Sequence, residues 1–572
     1  MATGARDREH IASFLRGVAL FAELTDDLRS ELAAAAERVE LPAGEWLFRQ
    51  GDATDGLYIV SAGRLEVVHE DPEPQVVRVL SVGESVGELG LATEIARTAS
   101  VRALRDSELI RVSNEQFATL LRENAQFAVA LTRRLGHLLE STRPAAPSTP
   151  RHLAVFTVIA LQPSVSAATA AREIADALSS LGRVTVLDGS ELEGGADRAH
   201  PLAQAYGGVL DRCERDNDWV VLVASDPGAS DPWTRFCLRV ADRVVAVADP
   251  AEGPPPAEVP AAVAGCDLVC WTDRADASRL VPWLDRLGPR AHHLVGPPSS
   301  PAASIGRAAR RLVGRSLGLV LSGGGARGMA HIGVVGAIEA AGLEVDRLGG
   351  TSMGACIGAM SAMGMLSPEI RRVCRAELVL RRPFNDYTIP RHSLIKARKA
   401  QAMLERIFGR AAVETLPRSF FSVTADLVTG REVVYRRGPV WAAVGSSMAL
   451  PGLIAPIVSE RRLLVDGGVL NNLPVDVMVA SGEGPVIAVD VMRRPRPSEG
   501  QTLPVPPLLD TLSRATVLGS WQKTEANREL ADLVIAPNLH EVGLLDFRRL
   551  DYIVEVGRRA AEEALATADL KP

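Results

Sequence analysis

The chain has 572 residues, 47% of them hydrophobic and 23% charged, with a formal net charge of −7. That length exceeds one ordinary core and implies about three or four domains, and the composition is globular, not disordered. The acidic balance argues against a global electrostatic grip on nucleic acid, so no nucleic-acid partner is expected. The six cysteines, Cys213, Cys237, Cys266, Cys270, Cys356 and Cys374, suggest no disulfide framework, and Cys266/Cys270 lacks a second pair for zinc. The first residues carry no apolar signal core, and no apolar stretch nears the roughly 20 residues that span a bilayer. A reduced, cytoplasmic setting is expected, with at most a seat on a membrane surface.

In chain order, residues 15–110 read as short β runs with glycine turns: EWLFRQG, GLYIVSAG, RLEVVHE, VVRVLSVG and ASVRALRDSELIRVS. Short, evenly spaced strands predict a small barrel or sandwich. Residues 114–140 have helical spacing of apolar positions. The proline-rich STRPAAPSTP (141–150) then reads as a linker. Residues 151–300 alternate buried strands with helices, as in HLAVFTVIAL followed by ATAAREIADALSSLG, which predicts a parallel α/β unit. Residues 316–480 repeat that logic from GLVLSGGGARG to RRLLVDGG, and 481–572 reads as an extension packing on them. The fold class expected is multidomain α/β with an N-terminal β-barrel.

Three stretches carry chemistry. The first is GESVGELGLATEIARTASVRA (83–103), which sets Glu88 nine residues before Arg97. A carboxylate can accept from a ribose hydroxyl, an arginine fork can hold a phosphate, and a tight small-residue turn can complete an anion nest. The middle unit offers no such set. Its strand-to-helix connection, QPSVSAATAA, lacks a phosphate-loop glycine pattern, and the first lysine of the chain is Lys396. A structural or docking role is expected there.

The second stretch is GGTSMGA (349–355), a G-x-S-x-G with Gly350, Ser352 and Gly354 between a short strand and an apolar helix. That is the setting of a nucleophile elbow, with Thr351 and Met353 flanking the serine. The glycine loop LSGGGARGMAHIG (321–333) lies upstream, after another strand. Its backbone N–H groups suit a developing oxyanion. A dinucleotide loop is the rival reading, with Asp346 at the spacing of a ribose-binding acid. The third stretch, RRLLVDGGVLNNLP (461–474), puts Asp466 at a strand end ahead of Gly467 and Gly468, where a carboxylate could take the serine proton. No histidine follows in a recognisable setting, and His331 reads as a packing residue. A Ser–Asp dyad is expected.

These motifs carry resemblances. Residues 15–140 resemble the cyclic nucleotide-binding domain, which implies that Glu88 meets the ribose and Arg97 the cyclic phosphate. Gly87, Thr98, Ala99 and Ser100 would shape that pocket, and Ala96 departs from the family's usual proline. Residues 316–480 resemble the patatin-like phospholipases in G-G-G-x-R-G, G-T-S-M-G and D-G-G followed by N-N-L-P. That resemblance implies Ser352 as nucleophile and Asp466 as base. It also implies an oxyanion hole from Gly323, Gly324, Gly325, Ala326, Arg327 and Gly328. The domain order, with DPWTRFCLRVADRVV in the middle unit, resembles the neuropathy target esterase group.

The implied function is a serine lipid esterase acting on lysophospholipids or phospholipids at a membrane surface, with the inner face as the expected site of contact. No metal or cofactor is needed for catalysis, and cyclic AMP or cyclic GMP is the implied regulatory ligand. Two alternatives stay open: a nucleotide-sensing scaffold with an inactive hydrolase domain, and acyl transfer or thioester hydrolysis by the same dyad. Headgroup, acyl chain and oligomeric state are not specified by these motifs.

Overall fold

The computed structural model describes residues 5–124, 127, 154–189, 209–296, 301–492, 505 and 508–568, except 19, 22–23, 43, 71–74, 81–82, 89–95, 211, 226–230, 257, 273–275 and 460. The expected linker at 141–150, and the expected helix beyond 124 apart from residue 127, lie outside the described residues.

Two helices, Ala5–Arg16 and Asp26–Ala35, precede an antiparallel six-stranded sheet. Its strands are β1 (Glu37–Leu41), β2 (Trp46–Phe48), β3 (Gly56–His69), β4 (Gln75–Leu80), β5 (Ser85–Val86) and β6 (Ser100–Ser113). They run in the order β1-β6-β3-β4, with β2 added on β6 and β5 on β3. The sequence breaks GLYIVSAG from RLEVVHE at Gly63, yet β3 continues through it. Gly63 takes φ 91°, and the β3–β6 register shifts on both sides of it, so the glycine makes a bulge, not a turn. Helix Asn114–Glu123 follows, closed by a reciprocal capping box between Ser113 and Gln116.

The middle unit is a wholly parallel sheet: β7 (Val155–Ala160), β8 (Val184–Leu187), β9 (Trp219–Ala224), β10 (Arg243–Ala248), β11 (Asp267–Trp271) and β12 (Ala291–Val295), ordered β12-β11-β10-β7-β9-β8. Apolar clusters cover both faces, which is why its strands read as unbroken apolar runs. Arg64 of the barrel joins the two units through Asp242 at 2.7 Å.

The third sheet has eight strands: β13 (Gly318–Leu321), β14 (Arg347–Thr351), β15 (Ser419–Asp426), β16 (Arg431–Tyr435), β17 (Ile457–Ser459), β18 (Arg462–Asp466), β19 (Val486–Val489) and β20 (Leu533–Ile535). The order is β17-β18-β15-β14-β13-β19-β20, with β16 on the side of β15. The sheet therefore continues through the C-terminal segment. Helix Leu550–Thr567 packs on helix Ala330–Ala340, where a Cβ on Gly333 would stand 1.9 Å from the Val554 carbonyl oxygen. Helices Ala330–Ala340 and Met353–Ala362 are apolar on almost every side because strands and helices enclose them. No helix among the described residues is long and apolar enough to cross a membrane.

Candidate active site

Strands β13 and β14 lie side by side and parallel, so the segments leaving them emerge at one end of the sheet. Ser352 follows β14 with φ 55° and ψ −122°, a conformation that costs an L-residue about 1–3 kcal/mol. The turn is tight enough to demand glycine on both sides. A Cβ on Gly354 would lie 2.2 Å from the Leu321 carbonyl oxygen, and one on Gly350 would lie 2.7 Å from the Gly354 carbonyl carbon. Thr351 is buried and donates its hydroxyl to the Asn471 carbonyl at 2.9 Å. The Ser352 N–H donates to Ser447 Oγ at 2.8 Å.

The glycine loop leaving β13 lies against this serine, since a Cβ on Gly323 would stand 3.1 Å from Ser352 Cβ. Three of its amides are spent internally: Gly323 on the Asn472 carbonyl (3.2 Å), Ala326 on Leu544 (2.8 Å) and Arg327 on Gly324 (3.2 Å). The N–H groups of Gly324 and Gly325 have no backbone carbonyl partner among the described residues. Gly325 holds φ 56°, which turns its amide out of the helical path. Gly328 packs on Met353, and Arg327 is buried with Nη1 3.2 Å from Met492 Sδ.

Asp466 ends β18 and pairs with Thr424, one residue along β15 from Val423, which pairs with Thr351. That register brings the carboxylate to the serine. Burial pushes the Asp466 carboxyl up to about 6, while hydrogen bonds from the Ser352 hydroxyl and the Gly468 N–H (2.8 Å) pull it down. Gly467 fits where a Cβ would lie 2.3 Å from the Val423 carbonyl oxygen.

Ser352, Asp466 and Gly323–Gly325 line one cavity of about 50 Å³ whose other walls are mainly apolar, including Phe384, Met448, Leu453 and Ile454. The C-terminal segment completes it with Val517, Leu544, Leu545 and Phe547. None of the lining residues is a histidine. His331 is buried against the Ser322 carbonyl at 2.9 Å, and burial pushes its imidazole down to about 4, so it stays neutral. Asp346 does not serve the glycine loop. It precedes β14 and receives Arg310 through both oxygens at 2.6 and 3.0 Å, which removes the support for a dinucleotide loop.

Sequence reasoning missed Ser447 and gave no role to Asn472, whose side chain sits over Gly323. Asn472 was visible inside N-N-L-P, whereas Ser447 lies in no motif.

In the barrel, Arg97 is buried and stacked 3.9 Å over the Phe48 ring. Its Nη2 donates to Asp55 Oδ1 at 2.6 Å and the Gly56 carbonyl at 2.9 Å, and Nη1 reaches the Gly87 carbonyl at 3.5 Å. Its Nε is a buried donor with no acceptor among the described residues. Glu88 is buried, Thr98 is exposed and Ala99 is half-buried. Ser100 Oγ accepts from the Gln50 N–H and donates to Glu70. Residues 89–95 of the cassette lie outside the described residues.

A strained serine, a buried carboxylate and a glycine loop, on a sheet that follows a nucleotide-type barrel, define the class. Residues 319–479 match the patatin-like phospholipase family and residues 38–124 the cyclic nucleotide-binding domain. A protein of Mycobacterium tuberculosis named as an uncharacterized NTE family protein is 38% identical over 96% of this chain and 96% of its own. The chain belongs to the NTE family. A lysophospholipase of Emericella nidulans is 27% identical over 93% of this chain and 42% of its own length. Among solved structures, the regulatory domain of Toxoplasma gondii PKA with cAMP covers 23% of this chain and 51% of that chain, with 24% identity and a TM-score of 0.22.

Proposed function

We propose that the chain hydrolyses acyl esters of lysophospholipids through a Ser352–Asp466 dyad. The observation that carries this reading is the strained Ser352 lining one cavity with the buried Asp466 carboxylate, whose pKa is raised to about 6. Such a carboxylate is ionised at neutral pH and still basic enough to take a proton. Ser352 Oγ attacks the acyl carbonyl carbon as its proton passes to Asp466. The carbonyl oxygen becomes an oxyanion held by the Gly324 and Gly325 N–H groups. Collapse expels the glycerol oxygen, which takes the proton from Asp466 and leaves an acyl-serine. Water then gives a proton to Asp466 and attacks the acyl carbon. The fatty acid departs and Ser352 recovers its proton. No step requires a metal.

The cavity's apolar walls suit the acyl methylenes next to the ester, and the loop beside it suits a lipid surface. Within residues 380–396, Leu380, Tyr387 and Ile389 are exposed among Arg381, Arg382, Arg391 and Lys396, while Phe384 turns inward to the cavity. Basic and apolar groups together favour an anionic interface. The test is fatty-acid release from lysophosphatidylcholine vesicles by wild type and Ser352→Ala. Release by the wild type alone is expected, and equal release or equal inertness would overturn the reading.

The barrel supports a second reading, regulation by a cyclic nucleotide. Arg97 has a buried donor to spare, and the Asp55 carboxylate occupies its fork as an anion would. A cyclic phosphate would replace Asp55 there, and titration of cyclic AMP or cyclic GMP into the full chain tests for that exchange.

A further inference from the structure

A second cavity, of about 190 Å³, lies between the middle unit and the catalytic sheet. The middle unit lines it with β12, the loop before it and helix Pro301–Leu312. The catalytic unit contributes residues 413–420 and Arg436–Arg437. It adjoins the starts of β14 and β15, the opposite end of those strands from Ser352 and Asp466. A five-residue strand spans about 16 Å, so this is a separate place from the catalytic cavity.

The lining is strongly cationic. Arg290, Arg307, Arg311, Arg418, Arg436 and Arg437 all border the cavity, and Asp346 is the one carboxylate among the lining residues. Asp346 is held bidentately by Arg310. Four of the six arginines have acids of their own: Arg290 and Arg311 share Glu483, Arg307 meets Glu344, and Arg437 meets Asp285.

The other two have no carboxylate within ion-pair distance among the described residues. Arg418 donates to the Ser361 carbonyl at 3.1 Å and Ser361 Oγ at 3.4 Å, and Arg436 lies over the Phe421 ring at 5.1 Å. The same cavity is lined by His293, more than nine-tenths buried, whose Nε2 has no hydrogen-bond partner among the described residues. Burial lowers the pKa of both arginines, and Arg307 adds to the effect at Arg418. Arg418 is half-buried and Arg436 exposed, and Glu344 with Asp346 act on the first, and Glu483 on the second, only from beyond ion-pair distance. The His293 nitrogen is the buried polar atom whose missing partner is costly.

We propose that this interdomain cavity binds the phosphate group of a small soluble phosphate ester. Arg418 and Arg436 would hold the phosphate oxygens, with His293 Nε2 meeting a third polar atom of the ligand. Guanidinium forks favour phosphate through paired, charge-assisted bonds. The volume equals about six waters, room for a phosphate with a short polyol attached. Because its walls come from two units, an occupant would also tie the middle unit to the catalytic sheet.

The experiment uses the full chain, titrated with inorganic phosphate and glycerol 3-phosphate by calorimetry and thermal unfolding. Sodium chloride at matched ionic strength is the control, and phosphatidylglycerol vesicles form a separate arm. Binding of a soluble phosphate with a rise in Tm beyond the chloride control is expected. Arg436→Gln, which gives up only a stacking contact with Phe421, should weaken affinity about tenfold or more. Arg418→Gln should do the same, and if it does not fold, Arg436→Gln alone decides. Both residues lie outside the catalytic cavity, so esterase activity reports that a variant is folded. An equal response to chloride, or phosphate affinity unchanged in Arg436→Gln, overturns the assignment. Binding confined to vesicles and lost in the variants would reassign the cavity to a lipid headgroup and overturn the soluble ligand.

Discussion

The Ser352 N–H donates to Ser447 Oγ at 2.8 Å, and that hydroxyl donates in turn to the Val423 carbonyl at 2.5 Å. Two bonds thus tie the strained turn after β14 to β15, the strand that also carries Asp466's neighbour Thr424. Ser447→Ala leaves both the serine amide and the carbonyl without that partner. We expect kcat to fall about tenfold with KM little changed, and stability to drop by about 1–2 kcal/mol. Steady-state kinetics beside urea unfolding checks both, and an unchanged kcat would remove Ser447's positioning role.

Activity should follow the ionisation of Asp466. Its carboxyl titrates near 6 because burial outweighs the bonds from Ser352 and Gly468. The base works only ionised, so kcat/KM is expected to rise with one proton lost around pH 6 and then level off. A profile flat from pH 5 to 8 would show that a different group takes the proton.

Stability carries the opposite sign. A carboxyl raised from 3.8 to about 6 binds its proton more tightly folded than unfolded. The folded state therefore loses stability as pH rises through that window and bears the full cost above it, on the order of 3 kcal/mol. Asp466→Asn removes the charge and can keep an acceptor for the Gly468 N–H. Denaturant melts at pH 8 should find it at least as stable as wild type while its esterase activity is lost.

Asp55 competes for the barrel's arginine. Its carboxylate is held below its usual range, because the bonds from Tyr58 and Arg97 outweigh burial. Asp55→Ala frees the Arg97 fork. Affinity for a cyclic nucleotide is expected to rise about tenfold, as a competing ion pair disappears. Calorimetry on wild type and variant gives the comparison, and affinity that stays equal or falls contradicts competition at Arg97.

The parts of the site that were legible in the sequence share one physical cause. Gly350, Gly354 and Gly325 occupy places where a Cβ would collide or the backbone needs positive φ, so composition at those points is nearly dictated. Asp466 and Ser352 were readable because both sit where strands end in such turns. The wall formed by Val517, Leu544, Leu545 and Phe547 was not readable, because any apolar residue of suitable size can fill it. Strand β19 pairs with β13 and β20 with β19, so the segment carrying that wall is part of the catalytic sheet. Gly63 misled for the converse reason. A glycine at positive φ serves a turn or a bulge equally well, and only the pairing of β3 with the long β6 decides between them. Asp346 had suitable spacing for a ribose, yet spacing alone cannot say which end of a strand a residue occupies.

The most direct test of the Ser352–Asp466 account is peptide-resolved mass spectrometry after exposure to a fluorophosphonate. Ser352 Oγ would form the bond to phosphorus, fluoride would leave, and Asp466 would accept the proton. The account predicts one adduct on the peptide containing Ser352. It also predicts none in Ser352→Ala, and labelling slowed at least about a hundredfold in Asp466→Asn. An adduct on another residue with loss of lipid hydrolysis, or full hydrolysis by Ser352→Ala, would contradict it.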